Sequence, residues 1–232
     1  MSISQDLHTI GDYIRWAVSQ FNASDIEYGQ GFDNGWDEAV FLVLGKLSLP
    51  WDIDREVWSA RLTTDERKVI IEAVHKRIND HVPIAYLVGR AWFMGLEFVV
   101  DERVLIPRSP VAELIESRFT PWLTDRPVRR VLDLCTGSGC IGIACAYQFE
   151  EATVDLSDIS TDALQVAMMN ISLHQQSLGD RVHLIHSDLF NNIPPVRYDL
   201  IVSNPPYVDQ EDFDHMPVEF AHEPVLGLVS GR

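Results

Sequence analysis

The 232 residues are 46% apolar, enough to bury one large core or two modest ones, which excludes a disordered chain. A formal charge of −17 argues against a protein that holds bare nucleic acid by neutralising phosphates; it suits a basic partner, or else serves solubility alone. No run nears the roughly 18 apolar residues of a membrane span, and Met1 to Asp12 lacks a basic stretch followed by an apolar one, so no membrane contact and a cytoplasmic location are expected.

In chain order, Ile3, Leu7, Ile10, Ile14, Ala17, Val18 and Phe21 recur every three or four positions and predict an amphipathic helix, with Ser2 and Gln5 as a capping box. A second helix is expected from Trp36 to Leu47, before Pro50. A third opens at Thr63, with Glu66 in capping-box position, and stops before Pro83. Residues 1–88 therefore read as a helical domain. Between Gly89 and Pro107, aromatic and β-branched residues broken by Gly95 predict a β-hairpin linker over 89–107. Ser109-Pro110 then reads as N-cap and first helical residue of another helix.

From 108 to 232, strands and helices alternate. Strands are expected at Val128 to Cys135, Thr153 to Ile159, Val182 to Asp188 and Tyr198 to Ser203, and helices at Cys140 to Phe149 and Thr161 to Gln176. Apolar strands in that alternation mean an α/β, Rossmann-like parallel sheet covered by helices. Cys135, Cys140 and Cys145 have neither CxxC spacing nor a nearby histidine pair, and they read as reduced packing residues, with no metal expected.

Chemistry concentrates at the strand ends. In Val131-Leu-Asp-Leu-Cys-Thr-Gly-Ser-Gly-Cys-Ile-Gly142, glycines at 137, 139 and 142 follow a strand and open a helix, where the backbone must turn sharply and approach a ligand closely. The loop of Cys135, Thr136, Gly137, Ser138 and Gly139 is thus a candidate nucleotide site. The same spacing, with Asp158 on the next strand, is also the dinucleotide fingerprint, so NAD and S-adenosylmethionine both remain open here. Asp158 could accept hydrogen bonds from ribose hydroxyls. Asp133, inside its strand, is costly to bury without a role in orienting the loop or in meeting a cofactor ammonium through water. Asp188 could take an adenine amino group, with Leu189 as an apolar wall.

Ser203-Asn204-Pro205-Pro206-Tyr207 ends the fourth strand and separates the two readings, because a dehydrogenase has no need of it. Two prolines fix φ and carry no N–H, so the segment offers carbonyl acceptors beside the Asn204 side chain, with the Tyr207 ring stiffly placed. Such acceptors fit a planar NH2 group: the Asn204 side-chain oxygen and the Pro205 carbonyl can hold its two hydrogens and leave the nitrogen facing a methyl donor. An amide nitrogen is a poor nucleophile, and positioning for in-line attack can lower the barrier by up to roughly 7 to 11 kcal/mol.

Asp133 to Gly139, Asp158 and Asn204 to Tyr207 together resemble the glutamine-amide methyltransferases that modify release factors and ribosomal proteins. Tyr28-Gly-Gln-Gly-Phe-Asp-Asn-Gly-Trp-Asp-Glu-Ala39 and Leu105-Ile-Pro-Arg-Ser-Pro-Val-Ala-Glu-Leu-Ile115 sharpen the resemblance. Where the release-factor enzymes usually have Pro-Arg-Pro-Asp-Thr-Glu, this chain has Pro107-Arg-Ser-Pro-Val-Ala112, which is similar to the branch acting on the third protein of the large ribosomal subunit. The resemblance implies S-adenosylmethionine as cofactor and that ribosomal protein as partner. It also implies further C-terminal strands beyond Arg232, without which the methyltransferase domain is incomplete and the fourth strand is an exposed edge. The alternatives are a release-factor glutamine methyltransferase, an adenine-specific nucleic-acid methyltransferase, which the missing basic stripe disfavours, and a noncatalytic cofactor-binding fragment.

Overall fold

The computed structural model describes residues 6–123 and 126–230. They form two compact units: Met1–Gly89 with Pro217–His222, and Arg90–Met216 with Glu223–Arg232.

The first unit is helical. Helix α1 (Ile10–Asn22) begins within the run that the periodicity predicts as one helix, because Thr9 caps it. The Thr9 hydroxyl accepts the Asp12 N–H at 3.1 Å, and the Asp12 carboxylate accepts the N–H groups of Thr9 and His8 at 2.9 and 3.0 Å. The expected Ser2–Gln5 cap lies outside the described residues. Helix α2 (Gly35–Lys46) is capped by Asn34, and a β-carbon on Gly35 would stand 2.7 Å from the Tyr28 hydroxyl and 2.8 Å from Asn22 Oδ1. That approach to the end of α1 explains one glycine of the Tyr28–Ala39 stretch. Helix α3 (Thr64–Asn79) has the Thr63–Glu66 capping box read from the sequence, and the short α4 (Ile84–Val88) ends at Gly89, φ 80°. A 3₁₀ turn at Arg55–Ser59 completes the stretch between α2 and α3.

Tyr13, Phe21, Leu42, Leu44, Ile70, Val74 and Ile84 fill this unit's core. Arg77 crosses it, 1% exposed, with Nε 3.0 Å from Glu38 Oε2 and a terminal nitrogen 3.1 Å from Glu219 Oε1. The 3₁₀ turn Val218–His222 thus belongs here through a buried ion cluster.

The second unit opens with strands β1 (Arg90–Phe93) and β2 (Leu96–Val99), an antiparallel pair shorter than the expected 89–107 hairpin. Met94 and Gly95 both have positive φ, 51° and 75°, as a two-residue type I′ turn requires. Helix α5 (Val111–Glu116) begins one residue after the expected start, with Pro110 outside it; the Ser109 hydroxyl accepts the Val111 N–H at 3.3 Å.

Then follow β3 (Arg130–Leu134), α6 (Cys140–Gln148), β4 (Thr153–Asp158), α7 (Thr161–Leu173), α8 (Gln175–Leu178), β5 (Val182–His186) and β6 (Leu200–Ser203). The strands lie in the order β5-β4-β3-β6, all parallel, each trimmed to the residues that pair. The helix expected over 161–176 breaks at His174, whose ring lies 3.0 Å from the Tyr147 hydroxyl and 2.8 Å from the Glu97 carbonyl. Val131, Leu132, Val154 and Leu156 are fully buried, as strands covered on both faces must be. The chain moves outward from β3 through β4 to β5, then returns to the other side of β3 as β6. Beside β6, away from β3, no strand lies among the described residues. Where the order reverses, between the carboxyl ends of β3 and β6, such a sheet leaves a crevice for a ligand. Two short helices, α9 (Gln210–Asp214) and α10 (Val225–Leu228), complete the unit.

Candidate active site

A cavity of about 610 Å³ lies at that crevice, and the sequence-predicted residues Cys135, Thr136, Gly137, Ser138, Asp158, Asp188, Leu189, Asn204, Pro205 and Pro206 line it. Asp133, Gly139 and Tyr207 do not line it.

The loop after β3 is a left-handed turn. Cys135, Gly137 and Gly139 have φ of 61°, 55° and 83°. A β-carbon on Gly137 would meet nothing within 4 Å, so its backbone is open to a ligand. One on Gly142 would lie 2.1 Å from Leu156 Cδ2 and 2.9 Å from the Asp133 β-carbon, so that glycine serves the packing of α6 onto β3 and β4.

Asp133 is wholly buried beneath the loop. Its Oδ2 accepts the Thr136 hydroxyl at 2.5 Å and the Gly142 N–H at 2.9 Å, while Oδ1 has no partner among the described residues. Burial pushes its pKa up to about 7, with the nearby charge of Asp158 adding to the effect and the two hydrogen bonds opposing it. Asp158 ends β4 as expected, and each of its oxygens accepts a backbone N–H: Oδ2 from Gly137 and Oδ1 from Ser160, both at 2.9 Å. The carboxylate therefore sets the loop and also faces the cavity, with an acceptor lone pair still available on each oxygen.

Asp188 and Leu189 follow β5 on the exposed rim, Leu189 55% exposed with φ 46°. On the other side of β3, the Ser203 hydroxyl donates to the Leu134 carbonyl at 2.7 Å, tying the root of the Asn204 segment to the glycine loop. Beyond it, Val208 pairs with Val229: its N–H donates to the Leu228 carbonyl at 3.0 Å, and its carbonyl accepts the Ser230 N–H at 2.8 Å. Tyr207 is 76% exposed and lines a smaller cavity of about 40 Å³ with Arg108, Ser109, Asn204 and Val208.

The sequence reading missed three contributors. Residues 103–109 form a wall of the main cavity, fixed by Glu223, which is 2% exposed. Its oxygens meet the Arg108 guanidinium at 2.8 and 3.0 Å and accept the Ile106 N–H at 3.0 Å. Asn170, wholly buried in α7, donates to the Ser138 carbonyl at 2.9 Å while also bonding the Val99 N–H and carbonyl, so it joins the glycine loop to β2. An asparagine inside an amphipathic helix was the available signal, since it is tolerated there when its amide is bonded. The third, Ile159, 49% exposed beside Asp158, adds an apolar surface to the cavity.

Comparison with known proteins places this geometry. The family model of the methyltransferase small domain matches residues 117–223. A ribosomal protein uL3 glutamine methyltransferase of Francisella tularensis is 53% identical over 230 residues, 99% of this chain and 73% of that protein. Another, of Bordetella pertussis, is 46% identical over 228 residues, 98% of this chain and 76% of that protein. The chain belongs to the ribosomal protein uL3 glutamine methyltransferase family. It is accordingly an enzyme of the methyltransferase class, and the dehydrogenase reading of Gly137-x-Gly139-x-x-Gly142 is set aside. Among solved structures, a T. thermophilus 16S rRNA N2 G1207 methyltransferase in complex with AdoMet and guanosine aligns at a TM-score of 0.40 and 22% identity, over 51% of this chain and 32% of that one.

Proposed function

We propose that this chain transfers a methyl group from S-adenosylmethionine to the side-chain amide nitrogen of a glutamine in ribosomal protein uL3, in the cytoplasm. The observation that carries the reading is the convergence of the glycine loop and the Asn204-Pro205 acceptors on one cavity.

The residues present fit the cofactor. The open backbone at Gly137, the orphaned buried oxygen of Asp133 and the rim carboxylates of Asp158 and Asp188 are what a cationic nucleoside needs. Thr136, Gly137 and Ser138 would hold its amino-acid end, Asp158 the ribose, and Asp188 with Leu189 and Ile159 the adenine. When bound, S-adenosylmethionine supplies an electrophilic methyl group on a sulfonium.

The chain's own contribution is orientation. Asn204 Oδ1 and the Pro205 carbonyl accept the two amide hydrogens and turn the nitrogen toward the methyl donor, and neither proline adds an N–H beside them. No strong base is required, because the nitrogen becomes acidic only as the methyl arrives. Tyr207 walls the plane of the bound amide. The helical unit, with Tyr28–Ala39, selects the protein substrate. No helix among the described residues is long and apolar enough to cross a membrane.

Incubation of the enzyme with methyl-labelled S-adenosylmethionine and a mixture of uL3 and release factors, followed by mass spectrometry, tests the reading. One methyl group on a uL3 glutamine is expected. Label on a release factor alone, or on none of them, overturns it.

A further inference from the structure

A primary amide has two ends, and the Asn204 segment serves only one. Asn204 Oδ1 and the Pro205 carbonyl are acceptors suited to an NH2 group, while Pro205 and Pro206 carry no N–H. A substrate amide held there also presents a carbonyl oxygen, an acceptor that is costly to leave without a partner once the substrate covers it. Its donor must come from another wall.

The small cavity that reaches Asn204 from the Tyr207 side shares Leu105, Arg108, Ser109, Asn204 and Gly227 with the large one, so the two cavities converge at these residues. Leu105 and Gly227 bring no side-chain donor, and the Arg108 guanidinium is engaged by the buried Glu223 carboxylate. Ser109 remains. It is 8% exposed, and its oxygen accepts the Val111 N–H at 3.3 Å; among the described residues no acceptor takes its own proton. A hydroxyl so buried ordinarily donates as well as accepts. A slot in which the buried Ser109 hydroxyl shares a wall with the Asn204 acceptors is complementary to a carboxamide.

We infer that Ser109 is a specificity-determining residue whose hydroxyl donates to the carbonyl oxygen of the substrate amide; this rests on the glutamine reading of the Asn204 site. Asn204 and Ser109 then read opposite ends of the same group. Ser109 thereby favours a glutamine side chain over any side chain of similar length without a carbonyl.

The test is a binding cycle in the presence of S-adenosylhomocysteine, so that no turnover is required. The probes are uL3 and uL3 with methionine in place of the glutamine found by mass spectrometry. Ser109→Ala should weaken uL3 binding about five- to tenfold, the loss of one neutral hydrogen bond, while binding of the methionine form stays within about twofold. Ser109→Thr, which keeps the hydroxyl, should restore the preference. Loss of the Val111 contact in Ser109→Ala would act on both probes alike, and the melting temperature of each variant reports that separately. Equal weakening of both probes, or no change in either, overturns the inference. Asn204→Ala distinguishes the levels: if it abolishes the preference for glutamine while Ser109→Ala leaves it, only the role of Ser109 falls. If neither variant alters the preference, the amide reading of the site falls with it.

Discussion

The carboxylate of Asp158 accepts the Gly137 N–H at 2.9 Å, so the acid at the end of β4 fixes the glycine loop after β3 as well as facing the cavity. Asp158→Ala should weaken S-adenosylmethionine binding by about 1 to 3 kcal/mol, the scale of lost charge-assisted hydrogen bonds. Asp158→Asn, which keeps an oxygen acceptor, should lose less. Calorimetry on both variants checks the order; unchanged affinity in Asp158→Ala removes this residue from the site.

Asp133 should make cofactor affinity depend on pH. Its folded pKa is raised from 3.8 to about 7 by burial, so between those values the folded protein holds a proton that the unfolded chain has lost. The stability this group contributes is fully present below its unfolded pKa and declines as pH rises toward 7. A cofactor ammonium near the unpartnered Oδ1 favours the carboxylate form, so binding should release a proton and tighten as pH rises through about 7. Titrations at about pH 6 and about pH 8 should show the gain in the parent and its absence in Asp133→Asn. A parent affinity independent of pH contradicts the role.

In the helical unit, the Arg77 guanidinium pairs with both Glu38 and Glu219, which are nearly inaccessible to solvent. Burial raises the pKa of Glu38, and the arginine opposes that rise. Arg77→Ala leaves Glu38 buried without its ion-pair partner, while Glu219 keeps the Glu27 N–H and His81, and should cost about 3 to 5 kcal/mol of stability, whereas Glu38→Gln should cost clearly less. Denaturant unfolding measures both, and a loss below about 1 kcal/mol in Arg77→Ala would mean that water reaches the cluster.

The acidic balance, −17 for the chain, should speed capture of a basic ribosomal protein at low salt. Stopped-flow association with uL3 should slow as ionic strength rises from about 50 to about 300 mM. A salt-independent rate assigns the acidity to solubility.

Much of the fold was legible because local patterns decide it. The Thr63–Glu66 capping box, the apolar strand runs and the glycine turn after β3 each declare themselves within a few residues. The break before α1 was not legible, since Leu7 and Ile10 keep the helical period while the Thr9–Asp12 cap overrides it. The residues found around the cavity without forewarning share a different cause. Glu223 meets Arg108 across 115 residues and Asn170 meets Val99 across 71, and no local pattern encodes partners so distant. Likewise the role of Glu219 depends on Arg77, 142 residues away. Ser109 was read as a helix cap; its hydroxyl does contact the first turn of α5, but its place in the cavity wall follows only from the fold.

Asn204 is the proposed acceptor that orients the substrate amide. Asn204→Ala should lower turnover of uL3 by at least about a hundredfold, some 2.7 kcal/mol of transition-state positioning, while the S-adenosylmethionine dissociation constant moves far less. Single-turnover methylation of uL3 alongside cofactor calorimetry measures both quantities on the same protein. Methylation by Asn204→Ala within a few-fold of the parent rate would contradict the account and leave Asn204-Pro205-Pro206-Tyr207 as a rigid turn after β6.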